Sequence, residues 1–339
     1  MQIASVIIYH FAEKVKQCYN ILMIINILLL VLGFVLLIKG ADLFVDGASS
    51  TASNFKVPKI LIGLTIIAFG TSAPEFAVSM KALASGSTDM VLGNVIGSNI
   101  LNILLILGVA AVIRPLRVRN NTIRKEIPIT VLISTLLVTL FLDVQLKSGS
   151  VDQISRQDGL SILLFFAIFI YYLISMAMHD RNKNAIEKPR WGIGGSLLFT
   201  AIGLAGIIFG SNFVVDNATA IATTLGVSER IIALTIIAFG TSLPELVTTI
   251  VSAKKGETDL VLGNILGSNI FNICVVLGIP VAIFGTVTPA SFQMLDLAML
   301  IGSAVLLFIF SVTNHKISRA EGAAMLLAFT AYYVAIFVV

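Results

Sequence analysis

Apolar residues run on in this chain for far longer than the alternation of a half-buried strand or the stripe of a surface helix would allow. Gly, Thr, Ser, Pro, Asn and Glu recur inside those runs at fixed places. About 20 apolar residues suffice to cross a bilayer as a helix. Runs of that order cover 22–40, 58–84, 89–112, 126–143, 159–178, 192–212, 229–253, 259–283, 291–312 and 319–338. The pattern predicts an all-α integral membrane protein of ten transmembrane helices.

The polar interruptions are written twice. LTIIAFGTSAPE ends at Glu75 and LTIIAFGTSLPE at Glu245, and the same offset of 170 residues relates TDMVLGNVIGSNILNI to TDLVLGNILGSNIFNI. An internal duplication explains this. The predicted units are a first five-helix repeat over 21–178, a cytoplasmic linker over 179–191 (HDRNKNAIEKPRW) and a second repeat over 192–339, with 1–20 as an N-terminal extension of open role. Five spans is an odd number, so the second unit must enter the membrane from the opposite side and the repeats are inverted. The stretch 21–38 has the look of a secretion signal, yet the offset matches it to the internal run near 192–208, so the repeat requires it to stay.

At 57% apolar and 12% charged, the composition departs from the ~25% charged of soluble domains. The formal charge of +4 raises the question of an anionic partner, and the placement of the cations answers it. The loops after odd-numbered spans hold fifteen Lys and Arg, against six on the other side. By the positive-inside rule this predicts a cytoplasmic set and outward-facing termini; nucleic acid is not expected. The basic loop RPLRVRNNTIRK reads as an orientation signal held by anionic lipid. Cys18 and Cys274 are too few and too separated for a disulfide framework or a thiolate metal site.

Inverted repeats with Gly/Pro-interrupted helices at matching places point to a secondary transporter whose site lies near the midplane. Pro74 and Pro244 cannot donate a backbone hydrogen bond. Each helix should therefore break there, and carbonyls near Ala68, Thr71, Ala238 and Thr241 should lose their donors and face a cation. In a turn of roughly helical geometry Ala68, Thr71, Ser72 and Glu75 share one face, as do Ala238, Thr241, Ser242 and Glu245. The following helices repeat Asn94, Ser98 and Asn102 as Asn264, Ser268 and Asn272.

A charge at the bilayer centre costs about 2.5–3.5 kcal/mol on insertion scales, so two Glu without internal Lys or Arg need cations. Calcium takes 6–8 hard oxygens from carboxylates, carbonyls and amides, and sodium accepts the same donors. One Ca²⁺ or at least two monovalent ions neutralise the pair, which makes their occupancy mutually exclusive.

At GTSAPE and GTSLPE, each followed by GN..GSN...N, the chain resembles the sodium/calcium exchanger family of the cation/calcium antiporter superfamily, prokaryotic type. The resemblance covers both signature regions and the five-plus-five layout. It implies Na⁺/Ca²⁺ exchange by alternating access, with spans 2, 3, 7 and 8 as the ion-binding core and spans 1 and 6 sliding across it. It implies Glu75 and Glu245 as shared ligands with Thr71 and Thr241 beside them. By the same resemblance Ser72, Ser98, Ser242, Ser268 and the Ala68 and Ala238 carbonyls are expected at flanking Na⁺ positions, and Asn102 and Asn272 are expected to finish the central site. Some members carry Asp where this chain has Asn272, which argues against potassium dependence here. The proton-coupled branch carries a different signature, so sodium is the expected coupling ion.

The implied setting is a prokaryotic inner (plasma) membrane and a monomeric transport unit, with Ca²⁺ and Na⁺ as substrates and no cofactor. Three other readings compete: Ca²⁺/H⁺ antiport by the same glutamates, a passive cation channel and an intramembrane hydrolase. The last lacks partners, since His10, His179 and His315 fall outside or at the ends of spans and no HExxH occurs. Asp89 and Asp259 are expected to cap their helices. Gly93, Gly97, Gly263 and Gly267 are expected at close helix contacts. Asp46 and Asp216 are placed at the outer ends of the first and sixth helices, in water.

Overall fold

The computed structural model describes residues 2–142, 153–179, 188–226, 238–288 and 294–338. Helices occupy each of the ten apolar runs. In chain order they are α1 (Gln2–Phe55), α2 (Lys59–Thr71), α3 (Ala73–Ala84), α4 (Thr88–Ile113), α5 (Asn120–Arg124), α6 (Glu126–Phe141), α7 (Arg156–His179), α8 (Ile193–Thr224), α9 (Ala238–Gly240), α10 (Leu243–Lys255), α11 (Thr258–Phe284), α12 (Met294–Asn314) and α13 (Arg319–Val338). Among the described residues six are long and apolar enough to cross a membrane, or seven if α2 and α3, bent by 47°, form one span. Glu126–Phe141 is shorter, at 16 residues. The N-terminal part of the run 229–253 and most of the linker lie outside the described residues.

The first helix extends well past 40. Ala41, Phe44, Val45, Ala48 and Ala52 are all buried, an i, i+3, i+4, i+7 stripe that keeps the chain helical where the polar residues predict a loop. Asp46 therefore lies inside α1, and Asp216 likewise lies inside α8. Asp46 is ion-paired with Arg190 and with Lys255, the latter at 2.6 Å.

Glycine brings α1 and α8 together. A Cβ at Gly203 would meet the Phe44 nitrogen at 2.4 Å, one at Gly40 the Gly206 carbonyl carbon at 2.8 Å, and one at Gly33 the Val214 nitrogen at 2.9 Å. Rising numbers on one helix meet falling numbers on the other, so the two run antiparallel. By contrast α2 and α11 run in the same sense. Gly263 meets Ile60 and Gly63 while Gly267 meets Leu64 and Ala68, and these contacts at 2.6–2.9 Å include backbone on the α2 side. Small residues permit such approach where no hydrophobic drive separates helix from lipid. The expectation for Gly263 and Gly267 is met. Among the described residues Gly97 faces nothing within 4 Å and Gly93 is exposed; the stretch their repeat counterparts pack against has its own equivalent at 227–237, outside the described residues.

Polar ties hold the rim. Leu116–Arg117 (β1) pairs antiparallel with Lys316–Ile317 (β2), and Ile154 bridges Val287. Tyr172 donates to Glu126 and Tyr332 to Asp296, the latter at 2.8 Å, linking α7 to α6 and α13 to α12. The capping expectation fails: the caps of α4 and α11 are Ser87 and Glu257, and Asp259 instead binds Arg119 at 2.6 Å. A partly buried carboxylate beside an arginine gains more from the ion pair than from exposed backbone donors.

Overpacking costs about 1–3 kcal/mol, and more where backbone cannot yield. Gly203→Ala should therefore lower the unfolding midpoint of the purified protein in detergent by several degrees. Gly194→Ala, with nothing within 4 Å among the described residues, should leave it unchanged or raise it slightly; differential scanning of both variants checks this.

Candidate cation site

Each GTS.PE segment is a helix that stops and restarts. Ser72 leaves the helical region at φ −84°, ψ 6°, and Ser242 does the same at φ −89°, ψ 5°, with the proline just inside the following helix in both. Proline is tolerated at that position because its missing N–H would be unsatisfied anyway. The carbonyl it frees is that of Gly70 or Gly240, four residues back. Ser211 of α8 donates to the Gly240 carbonyl at 3.1 Å. The Ala68 carbonyl keeps its donor, the Ser72 N–H at 3.0 Å. The expected loss at Ala68 is thus corrected, while the carbonyl freed by Pro74, that of Gly70, adjoins Thr71, where the other loss was expected. Ala238 opens α9, and its side chain lies outside the described residues.

The restarts deliver the two carboxylates to one place. Glu75 and Glu245 are each 1% exposed. Ser72 donates to Glu245 Oε1 at 2.9 Å and Ser242 donates to Glu75 Oε1 at 3.1 Å, so each half's serine serves the other half's carboxylate. Ser268 lies 3.5 Å from Glu245 Oε1, and Ser98 lies 3.5 Å from Ser242. Thr71 is buried with its hydroxyl 3.0 Å from the Ile67 carbonyl, and Thr241 is half-buried. Asn102 and Asn272 are buried at the starts of π-helical turns, Asn102–Leu107 and Asn272–Leu277. Such turns recur at functional sites because they rotate the side chains that follow.

Two asparagines whose role the sequence leaves open have structural work. Asn94 donates to the Glu75 carbonyl and to Ser79, both at 2.9 Å. Asn264 donates to Thr249 at 3.0 Å and accepts from Thr71 at 3.2 Å. They tie each broken helix to its neighbour; the repetition of Asn four residues before Ser98 and Ser268 was the available signal.

Several oxygens remain open. Glu75 Oε2, Glu245 Oε2, Asn102 Oδ1 and both polar atoms of the Asn272 amide are buried without a hydrogen-bond partner among the described residues. Buried polar atoms in native proteins nearly always have a partner, so this concentration marks a place built for a ligand. Among the described residues no Lys, Arg or His is ion-paired with either carboxylate, and no group of three or more His, Cys, Asp or Glu is arranged to hold a metal ion. A set of carboxylate, hydroxyl and amide oxygens without nitrogen or sulfur suits hard cations and disfavours zinc or copper.

The chain matches the family described as sodium/calcium exchanger protein over residues 25–175 and 195–338. It is 38% identical to the putative antiporter CaxA of Alkalimonas amylolytica over 304 residues, covering 86% of this chain and 92% of that one. It is 30% identical to the sodium/calcium exchanger MaX1 of Methanosarcina acetivorans, covering 92% of this chain and 99% of the relative. A solved structure of the sodium-calcium exchanger NCX_Mj, soaked with 10 mM Na⁺ and 10 mM Sr²⁺, aligns at a TM-score of 0.80 with 33% identity, covering 93% of this chain and 98% of the other.

A ligand that binds only the native state stabilises it by about 2.7 kcal/mol at a hundred times its Kd. Ca²⁺ should accordingly raise the unfolding midpoint of the wild-type protein. The double variant Glu75→Gln/Glu245→Gln should fold and show no such rise, which a titration of the midpoint against Ca²⁺ measures.

Proposed function

Because the chain belongs to the sodium/calcium exchanger family, we propose that it is a secondary antiporter that exchanges Na⁺ for Ca²⁺ across a membrane by alternating access. The observation that carries this reading is the crossed pair, Ser72 on Glu245 and Ser242 on Glu75, with no cationic side chain ion-paired to either carboxylate among the described residues. Glu75 and Glu245 are the shared ligands. Thr71, Thr241, Ser72, Ser242, Ser98, Ser268, Asn102, Asn272 and the Ala238 carbonyl supply the remaining oxygens, together with the Ala68 carbonyl through the lone pair that the Ser72 N–H leaves open.

The antiparallel contact of α1 with α8, whose Gly33 and Gly40 are the repeat counterparts of Gly203 and Gly210, supports two inverted five-helix units over 21–178 and 192–339. The skewed cation distribution supports cytoplasmic 1–2, 3–4, 5–6, 7–8 and 9–10 loops, with both termini outside. The setting is a prokaryotic inner membrane, and each chain forms a complete transport unit.

Coupling follows from charge. The two carboxylates need two positive charges before water can be stripped from them, since an unpaired buried ion is costly. One Ca²⁺ meets that need and so do two or more Na⁺, but not both together. A loaded protein can close and cross; an empty one is held back. The irregular backbone at Ser72 and Ser242 is tolerated at this depth because it lines the site.

Reconstituted into liposomes at clamped pH, the protein should move Ca²⁺ against an imposed Na⁺ gradient. Glu75→Gln and Glu245→Gln should each lower that flux at least a hundredfold, about 3 kcal/mol, with unchanged yield of folded protein. Flux that follows a pH gradient and ignores Na⁺ would favour Ca²⁺/H⁺ exchange by the same carboxylates. Current without any counter-ion requirement would favour a channel.

A further inference from the structure

A chain of amides crosses between α4 and α11 beside the carboxylates. The Asn99 main-chain carbonyl can only accept a hydrogen bond. Asn269 directs its Nδ2 toward it at 3.4 Å, which leaves Asn269 Oδ1 facing Asn102. Asn102 must then present Nδ2, and it donates to Asn269 Oδ1 at 3.0 Å. The other end of the Asn102 amide, Oδ1, is buried and carries no hydrogen bond among the described residues. Ser98, one turn earlier on the same face of α4, stands 3.5 Å from the serine that serves Glu75. The free oxygen therefore belongs to the face that carries the site.

An amide offers a cation either an oxygen, which attracts it, or an NH₂, which repels it. Orientation decides the sign. We infer that Asn269, outside the ligand set given above, is a positioning residue that fixes the Asn102 amide with its oxygen toward the cation. The inference rests on the exchange reading. Among the described residues the other half lacks the equivalent tie: Asn99 gives its Nδ2 to the Val95 carbonyl at 2.6 Å, and Asn272 has no hydrogen-bond partner at either polar atom. Asn102 is oriented in advance while Asn272 is left to turn when the cation arrives.

Loss of a group that orients a metal ligand typically costs 10–100-fold in affinity. In the full-length purified protein, Ca²⁺ half-saturation is read from the shift of the unfolding midpoint. Asn269→Leu should weaken it at least about tenfold, the lower end of that range. A carboxylate has two equivalent acceptor oxygens and no wrong way round. In an Asn102→Asp background, adding Asn269→Leu should therefore change half-saturation less than about twofold, since the orienting bond has nothing left to orient. Asn269→Ala in both backgrounds covers a leucine that does not fit.

Equal weakening in the two backgrounds, or no weakening in either, makes Asn269 a packing residue and overturns the inference. Loss of the Ca²⁺ response in Asn102→Asp alone would place that side chain away from the cation and overturn it too. A wild-type protein that ignores Ca²⁺ would overturn the exchange reading as well, whereas a responsive wild type with indifferent Asn269 variants overturns the positioning role only.

Discussion

Two carboxylates sealed in an apolar interior, with no cationic side chain paired to them among the described residues, set the terms for the rest of this molecule. Each ionised group costs several kcal/mol to place there unless something opposite in charge arrives. The hydroxyls of Ser72 and Ser242 offset part of that cost through the crossed hydrogen bonds at 2.9 and 3.1 Å. Hydroxyls carry no net charge, so they hold the carboxylates in place without satisfying them. The second oxygen of each Glu stays open, and the scaffold has to keep it so while denying it to the surrounding side chains.

Packing supplies that restraint. Prolines sited just inside α3 and α10 let the chain turn at a serine and restart, which puts the Glu in the first turn of a new helix with its side chain inward. Asn94 and Asn264 then bind these restarts to α4 and α11. Glycines on α11 bring its backbone against α2 at distances that exclude any side chain between them. Close backbone contact transmits position faithfully because neither partner has a rotamer to change. The carboxylates are therefore located by backbone and amide, and only their free oxygens are left to respond to a ligand.

Much of this was legible in the sequence. Among the described residues each of the ten apolar runs contains helix, because uninterrupted apolarity has few other solutions in a bilayer. The duplicated GTS.PE and GN..GSN...N segments mark the residues that meet, since a repeated polar group in an apolar run has to be compensated somewhere. Geometry between segments is what a single chain of letters withholds. Polar residues cluster around Asp46 and suggest a loop, yet the stripe from Ala41 to Ala52 has a helical partner in α8. Asp259 has the local setting of a cap, and only the fold brings Arg119, 140 positions away in the chain, within reach of it. The serine donors to Glu75 and Glu245 cross over from the opposite repeat, and no local pattern states which serine crosses to which carboxylate.

The two halves are alike in sequence but not in state, and the asparagines make the difference visible. Asn102 is held by Asn269, whereas the repeat-related Asn272 has no hydrogen-bond partner among the described residues. A molecule that were symmetric at its centre would offer a cation identical surroundings from either side and would have no reason to favour one opening over the other. In the alternating-access reading proposed above, unequal halves would correspond to two arrangements related by exchanging which repeat is tied and which is open. An inverted duplication, as proposed, would supply in one repeat a counterpart for an interaction broken in the other. Neutral amides at both positions also leave the charge of the site to Glu75 and Glu245 alone. In that reading the charge to be balanced would be the same in either arrangement, set by the two carboxylates.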